Sequence, residues 1–374
     1  MTKKLNIQDI WYGMLHVLVA MSAILFVCGT TGINLPLSFL TVGIGTIIFH
    51  IMTKNKLAVL MGVSGSFVGG MAIVSAEFGA PYVAGGVVVA GLVYLIASLI
   101  LRCKPELYNK FPKYILNAAV LLIALNLLPI GSSLASGNIV VAGVTALVGF
   151  LVFTKGGKLT PFAFPIALVS GTILSIIADG VNINTASQSL AFVTPAFNMA
   201  SFTLIGVVAL AVVFETLGDS QNCANAQGIE LNGEDFANVL GGNGLASLVS
   251  GSLGGLPLTT YSENVGFIYL TGYKRPMAQI VSAIIFILMA FIPGIGMVIS
   301  IIPSYVYGAM LLFLFAMIGV NSIKSLFLSK DKGNVVMAML VAFYLVPSNI
   351  FSPIAAAVLV GVVAHLIVNY KKKA

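Results

Sequence analysis

Apolar residues run through this chain in unbroken stretches of about 15–20, separated by short polar or basic segments. A membrane barrel would instead alternate apolar and polar positions over strands of about ten residues. Continuous runs of this length predict membrane-crossing helices, which satisfy their own backbone hydrogen bonds. Spans are expected near 12–28, 35–53, 57–74, 82–101, 114–128, 138–154, 160–178, 201–219, 236–254, 257–271, 276–293, 304–320, 333–347 and 352–369. The first run starts near Trp11 with no small-residue cleavage site behind it, so no cleavable leader is expected.

The basic residues give the count of about fourteen a direction. With both termini cytoplasmic, all 18 Lys and Arg residues fall on the inner side, from Lys3 and Lys4 to the Lys371–Lys373 tail. One span more or fewer would put several lysines outside. The segment 179–200 is the longest polar stretch and holds no basic residue. It splits the expected spans into two halves of about seven each. An odd number per half makes the halves inverted repeats, with a substrate site near the midplane between them.

Composition agrees with a membrane-embedded chain. Of 374 residues, 59% are hydrophobic and 8% charged, and mean hydropathy is +1.07. The formal charge of +7 is an insertion signal, so a nucleic-acid partner is not expected. Cys28, Cys103 and Cys223 are widely spaced, and His16, His50 and His365 lie far apart, so no metal pattern emerges. No cofactor is expected.

Two spans are interrupted. The third holds Gly62-Val63-Ser64-Gly65-Ser66-Phe67-Val68-Gly69-Gly70, and the tenth holds Gly254-Gly255-Leu256-Pro257 through Gly266. Glycine also serves close helix packing, but paired interruptions at matching positions point to a transporter site. Broken backbone is tolerated at membrane depth only where protein, ligand or water satisfies it. Carboxylates at that depth cost several kcal/mol unless partnered, and usually mark a substrate, ion or proton path. Glu215, Asp219 and Glu263 are such residues. Glu215 and Asp219 are four apart, hence on one helical face. No basic residue falls in any span to neutralise them, so protons, a cation or substrate donors must. Asp219 has an alternative reading, in water at the inner end of its helix. His16 is either a neutral imidazole bonded within the bundle or the orienting partner of a carboxylate. His50 and His365, near cytoplasmic helix ends, are expected to do nothing specific, and Glu230, Glu234 and Asp235 are expected to be solvated in an inner loop.

The run Glu263-Asn264-Val265-Gly266-Phe267-Ile268-Tyr269-Leu270-Thr271-Gly272 resembles the signature motif of the nucleobase/ascorbate transporter family. Thr259-Thr260-Tyr261-Ser262 is similar to the Thr-Thr-Tyr-Gly of bacterial uracil permeases. Glu215-Thr216-Leu217-Gly218-Asp219 resembles the Glu-x-x-Gly-Asp of xanthine and urate members. Leu15-His16 and Ser66-Phe67 match further positions, with Leu15 replacing a glutamine.

The resemblance implies an all-α integral membrane protein with core and gate domains and short strands in spans 3 and 10, pairing antiparallel. Residues 1–104 (spans 1–4) and 201–293 (spans 8–11) would form the core domain. Residues 105–200 (spans 5–7 and the outer loop) and 294–374 (spans 12–14) would form the gate domain, which would also make a homodimer. Carried over residue by residue, Glu215 would hydrogen-bond a nucleobase and the backbone amides of Phe67 and Ser262 would meet its carbonyls. Tyr261 and Phe315 would flank its ring, and Glu263 would support it. Proton coupling would fall to Glu263, Asp219 and His16. Asp219 replaces the histidine of uracil permeases, Glu263 the glutamine of xanthine carriers, and Phe315 a gate tyrosine.

The implied function is proton-coupled nucleobase import across the plasma membrane, of uracil or a xanthine-type purine. The alternatives are an anion transporter of similar architecture, which acids at the site oppose, and an intramembrane enzyme, for which no nucleophile–base pair is visible.

Overall fold

A computed structural model of the chain describes residues 5–106, 113–180, 189–261, 267–268, 271–292, 294–295, 297, 301–327, 333–345, 357, 360–365 and 367. Within the helices beginning at Lys113 and Ser304 some side chains, including that of Phe315, fall outside the description. The protein is mostly helical. Helices α1 (Ile7–Thr31) and α2 (Leu35–Met52) open the chain, followed by strand β1 (Met61–Gly62), α3 (Gly65–Phe78) and α4 (Ala80–Cys103). Then come α5 (Lys113–Ala135), α6 (Ile139–Lys155) and α7 (Ala163–Asp179). A π-helical turn over Phe202–Gly206 leads into α8 (Val208–Gln227), and α9 (Gly233–Leu253) precedes strand β2 (Thr259–Thr260). Helices α10 (Pro276–Met289), α11 (Ser304–Phe327) and α12 (Gly333–Leu345) complete the described elements.

Local chemistry sets the helix ends. Asn6 and Asp9 form a capping box at α1, and Asn232 and Asp235 form another at α9. Gly254 closes α9 in the left-handed region at φ +94°, where a side chain would be strained. Among the described residues, five helices are long and apolar enough to cross a membrane, and further apolar helices are shorter. Large apolar side chains such as Ile139, Val140, Leu147 and Phe150 on α6, and Val169, Ile173 and Ile177 on α7, are exposed. In water such a surface would aggregate; hydrocarbon is its natural solvent.

Packing gathers the helices into two groups. In one, α9 lies against α4 and α2, and α10 lies against α2 and α1. In the other, α11 lies against α5, α6 and α7, with α12 on α5. The α4–α9 pair approaches backbone to backbone. A Cβ at Gly91 would stand 2.9 Å from the Gly244 carbonyl, and one at Gly244 would stand 3.0 Å from that of Gly91. Small residues permit such contact where apolar driving force between helices is absent. Between the groups α1 meets α7 and α11, where Phe26 sits edge-on to Phe164 with ring centroids 5.6 Å apart. Tyr307 there fills the space a side chain at Gly29 would need.

Asp235 departs from the expectation of a solvated inner-loop residue. It pairs with Lys56, and its carboxylate accepts from the Asn232 amide. At the start of α1, Asp9 is buried, accepts from the Tyr273 hydroxyl at 2.7 Å and pairs with Arg275 at 3.2 Å. Burial and the neighbouring Asp9 push the Tyr273 phenol up to about 12.

Candidate functional site

Residues 56–64 and 254–258 are non-helical, and each break is stitched to a neighbouring helix by side chains. Thr46 and His50, four apart on α2, reach the first: the Thr46 hydroxyl accepts from the Met61 amide at 3.1 Å, and His50 Nε2 lies 3.0 Å from the Val59 carbonyl. His50 therefore has a structural task that its place near a helix end did not suggest. Asn243, Ser247 and Ser250 lie on one face of α9 and track the second break. The Ser247 hydroxyl accepts from the Leu258 amide and donates to the Leu258 carbonyl, both at 2.9 Å. Ser250 donates to the Leu256 carbonyl at 2.6 Å. Side chains thus supply the partners that an unbroken helix would have supplied itself.

The two breaks meet. β1 and β2 pair antiparallel, Met61 opposite Thr260 and Gly62 opposite Thr259. Gly62 is needed because the Tyr261 ring lies over it: a Cβ there would come within 2.7 Å of that ring. Tyr261 is buried as a result.

Helix α8 passes this pair and presents its acids to it. The half-buried Glu215 receives the Ser64 hydroxyl, 2.9 and 2.8 Å from its two oxygens, one proton shared between them. Ser66 donates to it at 3.3 Å. Ser64 is also the N-cap of α3, accepting from the Ser66 amide at 3.2 Å. The carboxylate therefore sits by the N-terminus of α3, where partial positive charge favours an anion. One turn on, the Thr260 hydroxyl donates to Asp219 at 3.4 Å. Asp219 is 9% exposed, and α8 continues past it for two turns to Gln227, which decides against the reading of a solvated helix end. Gln227 ties the first break and the segment ahead of α10 to α8: it accepts from the Ala58 amide at 2.9 Å and donates to the Lys56 and Lys274 carbonyls at 3.4 and 3.3 Å.

Phe67 lies in the first turn of α3 with its side chain fully buried, and its amide donates to the Ser64 carbonyl at 3.1 Å. That amide is engaged within its own helix turn in this structure. His16 is buried on α1, its Nε2 2.9 Å from Gln279 Nε2 on α10, with its ring edge-on to Phe267. Of the two readings of His16, this geometry supplies the intrabundle bond. Ser262, Glu263 and the side chain of Phe315 lie outside the described residues.

Several site residues escaped the sequence reading. Ser64, whose hydroxyl holds Glu215, was visible only as part of a small-residue run. Thr216, Thr259 and Asn243 form a buried cluster behind the strands: the threonine hydroxyls are 2.7 Å apart, and Asn243 donates to them at 3.0 and 3.2 Å. The one signal for Asn243 was an amide inside the small-residue run Gly241-Gly242-Asn243-Gly244.

The site offers a carboxylate able to accept from N–H groups, hydroxyls able to reorient, and a strand pair whose edges can meet a flat polar solute. Similarity to known proteins agrees with that chemistry. The chain is 27% identical over 343 residues to a "Probable uracil permease" of Pasteurella multocida, covering 86% of this chain and 82% of that protein. It is 25% identical over 333 residues to the uric acid permease PucK of Bacillus subtilis, covering 82% and 77%. To the uracil permease of the same species it is 24% identical over 404 residues, covering 97% and 93%. Among solved structures, the transmembrane domain of the cyanobacterial bicarbonate transporter BicA matches with a TM-score of 0.66 at 16% identity, over 95% of this chain and 96% of that one. The murine anion transporter Slc26a9 matches at 0.70 and 12% identity, over 99% and 69%. These two share the fold, and at such identity the likeness shows the fold alone. The sequence model of the xanthine/uracil group, described as "Permease family", matches residues 7–347, so the chain is a multi-pass membrane transporter that belongs to the nucleobase/ascorbate transporter family.

Proposed function

We propose that this protein is a proton-coupled nucleobase symporter that imports uracil or a xanthine-type purine across the plasma membrane. The carrying observation is Glu215, a carboxylate at the crossing of two paired helix breaks, held by the hydroxyls of Ser64 and Ser66. Bound base would be anchored through its N–H groups by Glu215, with Tyr261 and Phe315 beside the ring and Glu263 supporting it. The amides of Phe67 and Ser262 are the proposed donors to its carbonyls. For Phe67 this requires sharing or releasing its bond to Ser64.

Relatives that are uracil and uric acid permeases support a nucleobase over an anion. Two described carboxylates at the site, which would repel an anion, support the same choice. Asp219, Glu263 and His16 are the proposed proton-coupling groups. Coupled acids titrate as a set, so the coupling step would belong to the set and to no single residue.

The proposed topology has about fourteen spans in two inverted repeats, with both termini cytoplasmic. Residues 1–104 and 201–293 act as the core domain, and 105–200 and 294–374 as the gate domain, whose outer face also forms a homodimer. The separation of the helices into two packing groups supports that division. Alternating access is movement of one group against the other.

The test is binding of uracil, xanthine, urate, guanine, adenine and ascorbate to purified protein, followed by uptake in vesicles. Saturable binding of a nucleobase and uptake abolished by a protonophore are expected. Binding of none of the bases would overturn the reading, and sodium-dependent uptake that ignores the protonophore would overturn the coupling.

A further inference from the structure

We infer that Asn243 is a positioning residue for the substrate site, fixing β2 against the helix that carries both acids. Four elements converge on one buried polar cluster: Tyr94 from α4, Thr216 from α8, Asn243 from α9 and Thr259 from β2. All four are at most 1% exposed. Thr216 follows Glu215 in the chain, and Thr259 precedes Thr260, which donates to Asp219. The Asn243 amide donates to Thr216 Oγ1 at 3.0 Å and to Thr259 Oγ1 at 3.2 Å, while those hydroxyls bond each other at 2.7 Å.

The arrangement has a consequence for the site. A hydroxyl pair alone has one shared proton and a soft geometry. Adding one amide that donates to both oxygens closes a three-membered network and removes the freedom of β2 to slide along α8. The network sits in a dry, close-packed region, where each bond is stronger and its loss more costly than in water. The Tyr94 hydroxyl lies beside Thr216 and Thr259, and Asn243 Oδ1 has no hydrogen-bond partner among the described residues. A buried polar atom in that condition is rare. Here the close α4–α9 contact at Gly91 and Gly244 lies on the same two helices that carry Tyr94 and Asn243. The cluster therefore leaves one amide oxygen unsatisfied while it holds the strand in place.

The inference rests on the proposed function for its substrate readout and is independent of it for its structural one. In purified, substrate-free protein, Asn243→Leu should raise amide hydrogen exchange of residues 256–261 by about tenfold, with α4 and α8 unchanged. Unchanged exchange there overturns the inference whether or not the protein binds a base. In vesicles that take up a nucleobase, the same variant should raise KM about tenfold while lowering the maximal rate less than about threefold. Asn243→Ser, which keeps one donor, should fall between the wild type and Asn243→Leu, and it stands in if the leucine variant does not fold. The KM effect should vanish in a Thr216→Val, Thr259→Val background, because the bonds it reports are already gone. An unchanged KM, or effects that simply add, would overturn the positioning role. A wild-type protein that takes up no base refutes the proposed function and leaves the exchange measurement to decide the inference.

Discussion

The two helix breaks solve one problem with different chemistry. The first, ahead of α3, is held by Thr46 and His50 of α2 and delivers the hydroxyls of Ser64 and Ser66 to Glu215. The second, after α9, is held by Ser247 and Ser250 and delivers Thr260 to Asp219 and Thr259 to Thr216. The first ends in a helix N-terminus at the acid. The second ends in a polar cluster behind the acid. The first break is thus built to grip Glu215 and whatever Glu215 holds. The second is built to keep the strand in place. The Ser64 hydroxyl stands 2.8–2.9 Å and the Ser66 hydroxyl 3.3 Å from the Glu215 carboxylate, and the Thr260 hydroxyl stands 3.4 Å from Asp219, in keeping with that difference.

Breaking the comparison begins with the acid itself. Glu215→Gln should weaken nucleobase binding about 100-fold, since a hydrogen bond to a charged group contributes about 1.5–3 kcal/mol and more than one is at stake. Calorimetry on purified protein measures this, and affinity within about threefold of wild type would remove Glu215 from the site. Next comes the second break. Ser247→Ala strips partners from both the amide and the carbonyl of Leu258, at about 1–3 kcal/mol for each orphaned group. Thr46→Val strips one amide from the first break and should cost about half as much in a thermal-unfolding series. Equal losses would mean that the breaks are not held in the two ways described.

Gly62→Ala is expected to cost about 1–3 kcal/mol through overpacking against the Tyr261 ring. The companion change Tyr261→Ala should relieve that strain, and failure of the double variant to recover would argue against the ring as its source. The smallest effect sharpens the contrast between the hydroxyl donors. Ser64→Ala should reduce base affinity by roughly tenfold, Thr260→Val by no more than about threefold, following their bond lengths. The reverse order would make Asp219 the primary anchor.

Much of this molecule is legible in its sequence. The membrane-crossing class follows from long apolar runs, because hydrocarbon accepts no other surface. The interruptions are visible because runs of glycine, serine and proline weaken a helix, although of the run Gly62–Gly70 only Gly62–Ser64 is non-helical and Gly65–Gly70 belong to α3. Glu215 is visible because a charge at membrane depth needs a reason. The partners of those residues are not legible. Nothing near position 64 in the chain announces a carboxylate that lies 151 positions away, and nothing about Asp219 tells how far its helix continues. The roles of His50 and Asp235 are hidden in the same way, because their partners, Val59 and Lys56, lie outside the helices that carry them.

The sequence by itself determined solvent, element type and the places where the backbone must find outside partners, since these depend on composition and local conformational preference. Only the tertiary structure decided which partner each break takes. Ser64 holds Glu215, Asn243 ties Thr216 to Thr259, and Gln279 meets His16, because each of these contacts is made by segments whose meeting depends on how the whole bundle packs.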